Sequence, residues 1–213
     1  HSDQIFTLFE GNKVREILSG ADPAKIQIIP NGIDVRTFQS VPHQRKATPH
    51  VALIGRVVSI KDVKTFIQAA RLVVHSIPEA KFYVVGPTTE EEDYYQECKR
   101  LTEALGLLDH VIFTGPVDVK QYYQFLDVVV LTSISEAQPY AILEANAVGI
   151  PVVATNVGAC RELLEGREEI DQAIGKSGLI TEVASPESTA KAIVKLLQAP
   201  GLYERYSVAG KVR

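Results

Sequence analysis

Two cations and two carboxylates carry the chemical interest of this sequence. Arg56 and Lys61 stand five positions apart in Gly55-Arg56-Val57-Val58-Ser59-Ile60-Lys61-Asp62, between an apolar run and a segment of helical periodicity. Cations so placed can meet one anion at a sheet edge, where the positive end of the following helix adds to them. The bland alternative is a pair of solvated loop cations. Glu136 and Glu144 stand eight apart in Glu136-Ala137-Gln138-Pro139-Tyr140-Ala141-Ile142-Leu143-Glu144. Glu136 falls in a loop, and Glu144 falls inside the helix whose first turn suits Pro139. The helix N-terminus between them offers free N–H groups to a phosphate. Glu144 lies among Ile142, Leu143 and Ala145, so its carboxylate must find a donor or stay wet. Sugar hydroxyls are such donors. The alternative here is Glu136 as a helix cap and Glu144 as a surface residue. Glycoside hydrolysis also uses paired carboxylates, but nothing in the sequence sets one across a cleft from the other.

Other chemistries find little support. The five histidines, at 1, 43, 50, 75 and 110, form no metal-spaced cluster. Cys98 and Cys160 lie 62 positions apart, outside any C-x-x-C, and read as reduced thiols without a role. No G-x-G-x-x-G follows the first long apolar run, no G-x-x-x-x-G-K-[ST] occurs, and Ser133 and Ser135 sit in no G-x-S-x-G elbow. A dinucleotide site, a P-loop and a serine hydrolase are disfavoured. The 213 residues carry a net charge of −4, which argues against a nucleic-acid partner. No apolar run approaches the roughly 20 residues of a membrane span, and no signal-peptide pattern is present. The chain has no Met and starts at His1, so it is expected to be a piece of a longer chain or a processed product.

The elements that must position these residues are legible as alternating strands and helices. Strands are expected at Val51–Ile54, Phe82–Val85, Val111–Phe113, Asp127–Leu131, Pro151–Ala154 and Gly178–Thr181. Helices are expected at Asp62–Ser76, Glu90–Leu105, Val119–Phe125, Tyr140–Val148, Cys160–Leu164 and, as the last, Pro186–Leu197 with Ser185 as its cap. The strands are runs of Val and Ile without polar alternation, as in parallel sheets covered on both faces. The fold class is therefore α/β, a doubly wound parallel sheet. Ligands of such sheets bind beyond the strand carboxyl ends, where Gly55-Arg56, Gly86-Pro87, Gly115-Pro116, Thr132–Glu136 and Thr155–Ala159 fall. Ahead of this domain, residues 1–39 hold a strand, a short helix and a second apolar stretch closed by Pro30-Asn31-Gly32. Residues 40–49 read as a linker, and 50–213 form the main domain.

Ile29-Pro30-Asn31-Gly32-Ile33-Asp34, Gly55-Arg56 with Lys61-Asp62, Glu136 paired with Glu144-Ala145, and Gly149-Ile150-Pro151-Val152-Val153-Ala154-Thr155 follow one another in that order. This ordered set resembles the donor-binding half of a retaining nucleotide-sugar glycosyltransferase of family 4, with the GT-B fold. Phe6–Asn12, Ile60–Phe66 and Cys160-Arg161-Glu162 look like the PelF type, a cytoplasmic enzyme of Pel exopolysaccharide biosynthesis that uses UDP-sugars. The resemblance implies that residues 1–39 are a remnant of the N-terminal acceptor domain and 50–213 the nucleotide-sugar domain, binding donor without turnover alone. It implies that Arg56 and Lys61 grip the donor pyrophosphate and Glu136 touches the sugar, these three being the catalytic set. Glu144 would accept from the ribose, Gln138, Pro139, Tyr140 and Ala141 would meet sugar and phosphates, and Gly86, Pro87 and Val117 would meet the base. Neither metal nor cofactor is implied. The implied partners are a nucleotide-sugar such as UDP-glucose, the chain's own N-terminal domain and a membrane polysaccharide synthase complex. Where many members read E-x-F-G-L, this chain reads Glu136-Ala-Gln-Pro-Tyr-Ala. The alternatives are a GT-B-related UDP-sugar epimerase and a non-catalytic α/β nucleotide-binding module.

Overall fold

The computed structural model describes residues 3–167, 171 and 173–213. Its centre is a six-stranded parallel sheet of β3 (His50–Ile54), β4 (Lys81–Val85), β5 (Val111–Gly115), β6 (Val128–Leu131), β7 (Val152–Thr155) and β8 (Gly178–Thr181). The spatial order is β5-β4-β3-β6-β7-β8. The chain winds outward from β3 to β5, returns to the centre at β6, and winds outward the other way. The switch between the two directions lies between β3 and β6, which pair directly through Val51–Val128 and Leu53–Val130.

Both faces of the strands are apolar, as their runs of Val and Ile require. Val51, Leu53, Phe82, Val84, Val128, Val130 and Val153 point to one face and pack on α3 (Val63–Ser76), α4 (Glu92–Ala104) and α8 (Pro186–Gln198). Ala52, Val85, Val129, Leu131, Val152 and Ala154 point to the other and pack on α5 (Lys120–Tyr123), α6 (Tyr140–Val148) and α7 (Cys160–Glu165). This side-chain period of two, with both sets buried, defines a doubly wound sheet. α8 starts where its sequence says it should, with the Ser185 hydroxyl accepting the Ser188 N–H at 3.2 Å and Pro186 in the first turn. α6 ends at Gly149, whose φ of +89° only glycine adopts without strain.

Two helices go beyond the sequence expectation. α2 (Val35–Gln39) follows Asp34, which accepts the Arg36 and Thr37 N–H groups as its cap. α9 (Pro200–Val212) corrects the reading of the 186–197 helix as the last, and packs on α6. Gly201 and Gly210 dilute its helical signal, and it carries no strong apolar stripe.

Residues 5–28 form a separate parallel pair, β1 (Ile5–Thr7) with β2 (Ile26–Ile28), joined by α1 (Glu10–Leu18). Residues 40–49 lack regular structure but are tied to the sheet domain. Gln44 N–H donates to Gln124 O at 2.8 Å, His43 Nε2 bonds Leu126 O, and Arg45 pairs with Asp127. Cys98 and Cys160 are free and buried, with burial pushing their thiols up to about 11 and about 12.

Candidate functional site

The loops after β3 and β6 meet at the switch point, and they carry Lys61 and Glu136. The β3 loop is fixed on both sides. Gly55 N–H donates to Val85 O at 2.9 Å and Val57 N–H to Pro87 O at 2.8 Å, while Ser59 N–H donates to the Glu91 carboxylate at 2.9 Å. From the β6 side, the Thr132 hydroxyl donates to Asp62 O at 2.8 Å, and Ile134 N–H donates to Ile60 O at 2.9 Å. Asp62, at φ +46°, turns the chain into α3 and caps it by accepting the Thr65 N–H. Lys61 therefore leaves a rigid turn, and its Nζ pairs with Glu136 Oε1 with only 20% and 11% of the two side chains exposed. The Ser133 hydroxyl donates to the same carboxylate oxygen at 2.6 Å, and Ser133 is itself held by Thr155 through a 2.7 Å bond to its carbonyl.

Arg56 stands apart from this pair. Its guanidinium extends outward to Glu90 at 2.6 Å, with both side chains about half exposed. Each cation has its own carboxylate, Glu90 for Arg56 and Glu136 for Lys61. An incoming anion would compete with Glu90 and Glu136 for them.

Glu136 does not cap α6, since no side chain caps that helix. Glu144 is half-buried rather than a surface residue, and the donor it requires is the hydroxyl of Tyr123, 2.9 Å from Oε2. Burial raises the Glu144 pKa above the usual carboxylate value, and the Tyr123 hydrogen bond partly opposes it. Between the carboxylates, Gln138 is half-buried and bound to Asn31, whose backbone and side-chain N–H groups donate to the Gln138 side-chain and backbone oxygens. Pro139 is buried, Ala141 half-buried and Tyr140 exposed. Gly86, Pro87 and Val117 lie beyond the carboxyl ends of β4 and β5, with Pro87 and Val117 exposed. A Cβ on Gly86 would come within 2.2 Å of Gly55 O, so glycine there lets the two strand-end loops touch.

Three contributors have no role assigned to them in the sequence expectation. Ser133 acts on Glu136, three residues along the same loop, whereas Tyr123 acts across the fold on α6, where no local signal announces it. Gly158 was visible as a glycine in the turn after β7. A Cβ there would come within 2.2 Å of Glu136 O, so the Glu136 loop rests directly on it. Next to it, a cavity of about 300 Å³ is lined by Glu136, Ser135, Gly158 and, from the β1–β2 unit, Phe9 and Arg15. No group of three His, Cys, Asp or Glu side chains among the described residues is arranged to hold a metal ion.

A doubly wound sheet whose charged loops converge at the switch point defines a Rossmann-like domain. The chain belongs to the family of glycosyl transferases group 1, whose family model matches residues 35–213. It is 28% identical over 190 residues to a D-inositol 3-phosphate glycosyltransferase of Paenarthrobacter aurescens, covering 83% of this chain and 44% of that protein. It is 29% identical over 201 residues to D-inositol 3-phosphate glycosyltransferase 2 of Catenulispora acidiphila, covering 86% and 45%. The chain spans about half the length of these curated relatives. Its fold matches Anabaena HepE, solved with UDP and glucose, at a TM-score of 0.83 and 21% identity, covering 99% of this chain and 58% of that one. It also matches the C-terminal domain of a glycosyl transferase group 1 family protein (LpcC) of Francisella tularensis, with a TM-score of 0.70 and 24% identity over 85% and 95% of the chains. The six-stranded sheet thus has the fold of the Rossmann-like domains of GT-B glycosyltransferases.

Proposed function

We propose that this chain supplies the donor half of a retaining, UDP-sugar-dependent glycosyltransferase. The observation that carries the proposal is the Lys61–Glu136 pair at the switch point, with Arg56 on the same loop as Lys61 and the half-buried Glu144 on the helix that follows Glu136. Donor binding exchanges the carboxylate partners of Lys61 and Arg56 for the diphosphate. The two cations then balance the charge that grows on the departing UDP, without a metal. Glu136, released from Lys61, accepts from hydroxyls of the transferred sugar, and Glu144 accepts from the ribose. Gln138, Pro139, Tyr140 and Ala141 border sugar and phosphates, while Gly86, Pro87 and Val117 border the base. Anabaena HepE, whose crystal structure is a complex with UDP and glucose, supports a uridine donor carrying a hexose. Residues 1–39 belong to the acceptor-binding half, joined through 40–49 to the donor domain of 50–213. The PelF-like motifs support a cytoplasmic exopolysaccharide acceptor, delivered with a membrane synthase complex. The curated relatives favour a second reading, a phosphorylated polyol acceptor.

Calorimetric titration of the chain with UDP, GDP and ADP tests the donor assignment. UDP is expected to bind best. Lys61→Ala and Arg56→Ala each remove a charged hydrogen bond to phosphate and should weaken binding by on the order of 10- to 100-fold. No nucleotide binding at millimolar concentration, or UDP binding that survives both substitutions, would refute the assignment. Assay of the longer enzyme with oligosaccharide and inositol phosphate acceptors separates the two acceptor readings.

A further inference from the structure

We propose that Tyr123 is the positioning residue that makes this site selective for a ribose over a sugar lacking its hydroxyls, acting through Glu144. The inference rests on the reading of Glu144 as the ribose acceptor. Glu144 has three rotatable side-chain bonds and sits only half-buried on α6, so its carboxylate has no fixed direction of its own. Tyr123 supplies one. It is fully buried at the end of α5, and its ring stands edge-on to Phe38 of α2 at 5.9 Å between centroids. Its N–H is held by Val119 O at 3.1 Å. A ring so confined can aim its hydroxyl in one direction, and that direction is Glu144 Oε2 at 2.9 Å.

The polarity of this bond is also fixed. An ionised carboxylate only accepts, so the tyrosine hydroxyl must donate. Burial and the neighbouring carboxylate hold the Tyr123 phenol well above its ordinary pKa, so the proton stays on the tyrosine. One oxygen of Glu144 is thereby committed inward. The other has no hydrogen-bond partner among the described residues and remains an oriented acceptor for a hydroxyl pair. Removing the Tyr123 hydroxyl frees the carboxylate to rotate, which costs orientation without touching the phosphate or base contacts.

The test compares UDP with 2′,3′-dideoxy-UDP on the wild-type chain, Tyr123→Phe, Glu144→Gln and the double variant, by calorimetric titration. Phenylalanine keeps the buried ring, and melting curves confirm folding of each variant. The wild type is expected to prefer UDP, and Glu144→Gln to erase most of that preference. Tyr123→Phe is expected to lower UDP affinity roughly 3- to 10-fold, the value of one net hydrogen bond. Its dideoxy-UDP affinity should not change, and adding Tyr123→Phe to Glu144→Gln should change neither ligand. Equal losses for both ligands in Tyr123→Phe, or no loss, would overturn the positioning role while leaving the Glu144 reading intact. A wild type without ribose preference would overturn that reading and the inference with it.

Discussion

Lys61 and Arg56 leave the same loop, yet their surroundings predict different responses to removal. Lys61→Ala strands Glu136, 11% exposed, with the Ser133 hydroxyl as its only donor among the described residues. Leaving a buried carboxylate short of a partner costs on the order of 2 kcal/mol, which lowers the melting temperature by roughly 4–8 °C in a chain of this size. Arg56→Ala breaks an exposed pair with Glu90, worth about 0–1 kcal/mol, and should lower the melting temperature by no more than about 4 °C. Both should weaken UDP binding, so differential scanning fluorimetry beside calorimetry separates the two roles. Equal melting losses would contradict the burial argument. Glu144 adds a pH signature. Its folded pKa is raised by burial, so the native state holds the proton more tightly than the unfolded chain. Stability from this group is complete below the ordinary carboxylate value and is lost as pH rises through the raised one. Glu144→Gln carries no such term, so its melting temperature should gain on the wild type as pH rises above the ordinary carboxylate value of about 4. A gap that stays constant over that rise would mean that Glu144 is solvated.

At the scale of elements, the site depends on loops touching one another, and glycines permit the contacts. Gly158 sits at φ +52° with the Glu136 carbonyl where its Cβ would be. Gly158→Ala must push the Glu136 loop away, at about 1–3 kcal/mol. Because Glu136 faces the sugar in the proposed complex, this variant should lose more affinity for UDP-glucose than for UDP. Parallel titrations check this, and equal losses would detach Gly158 from the sugar subsite. The same contacts explain what was legible in the sequence. β3, β4, β6 and β7 read clearly because both faces of each are apolar, so no register ambiguity dilutes the run. Lys61 and Glu136 were found because each follows a strand, and their pairing was not, because it needs β3 beside β6. Strand order is a tertiary fact that neither loop encodes. Tyr123 was hidden for the same reason, since only packing of α5 on α6 gives its hydroxyl a partner. α2 has five residues, too few for a period to emerge. α9 was hidden by its glycines and a weak stripe.

Over the whole molecule, the two ends of the parallel sheet separate a buried ion-pair network from the proposed donor contacts. All the proposed donor contacts lie at the carboxyl ends of the strands. At the opposite end, Asp127 sits just before β6 with only 1% of its side chain exposed. It accepts the His50 N–H at the start of β3 at 2.7 Å and pairs with Arg45 from the 40–49 segment. The Arg45 guanidinium lies 4.1 Å over the ring of Tyr203, which is 3% exposed on α9. One arginine thus joins the connecting segment, the two central strands and the last helix. Arg45→Ala would leave the Asp127 carboxylate buried with a single backbone donor, and an unpaired buried charge costs about 3–5 kcal/mol. The melting temperature should fall by roughly 6–20 °C, while UDP affinity of the folded chain should stay within about twofold. The spatial separation demands this outcome, because no residue of the Arg45–Asp127–Tyr203 group borders the switch-point loops. Calorimetry well below the lowered melting point measures it. Loss of UDP binding by protein still folded under those conditions would show that the two ends of the sheet are coupled, and that α9 transmits strain through α6 to Glu144.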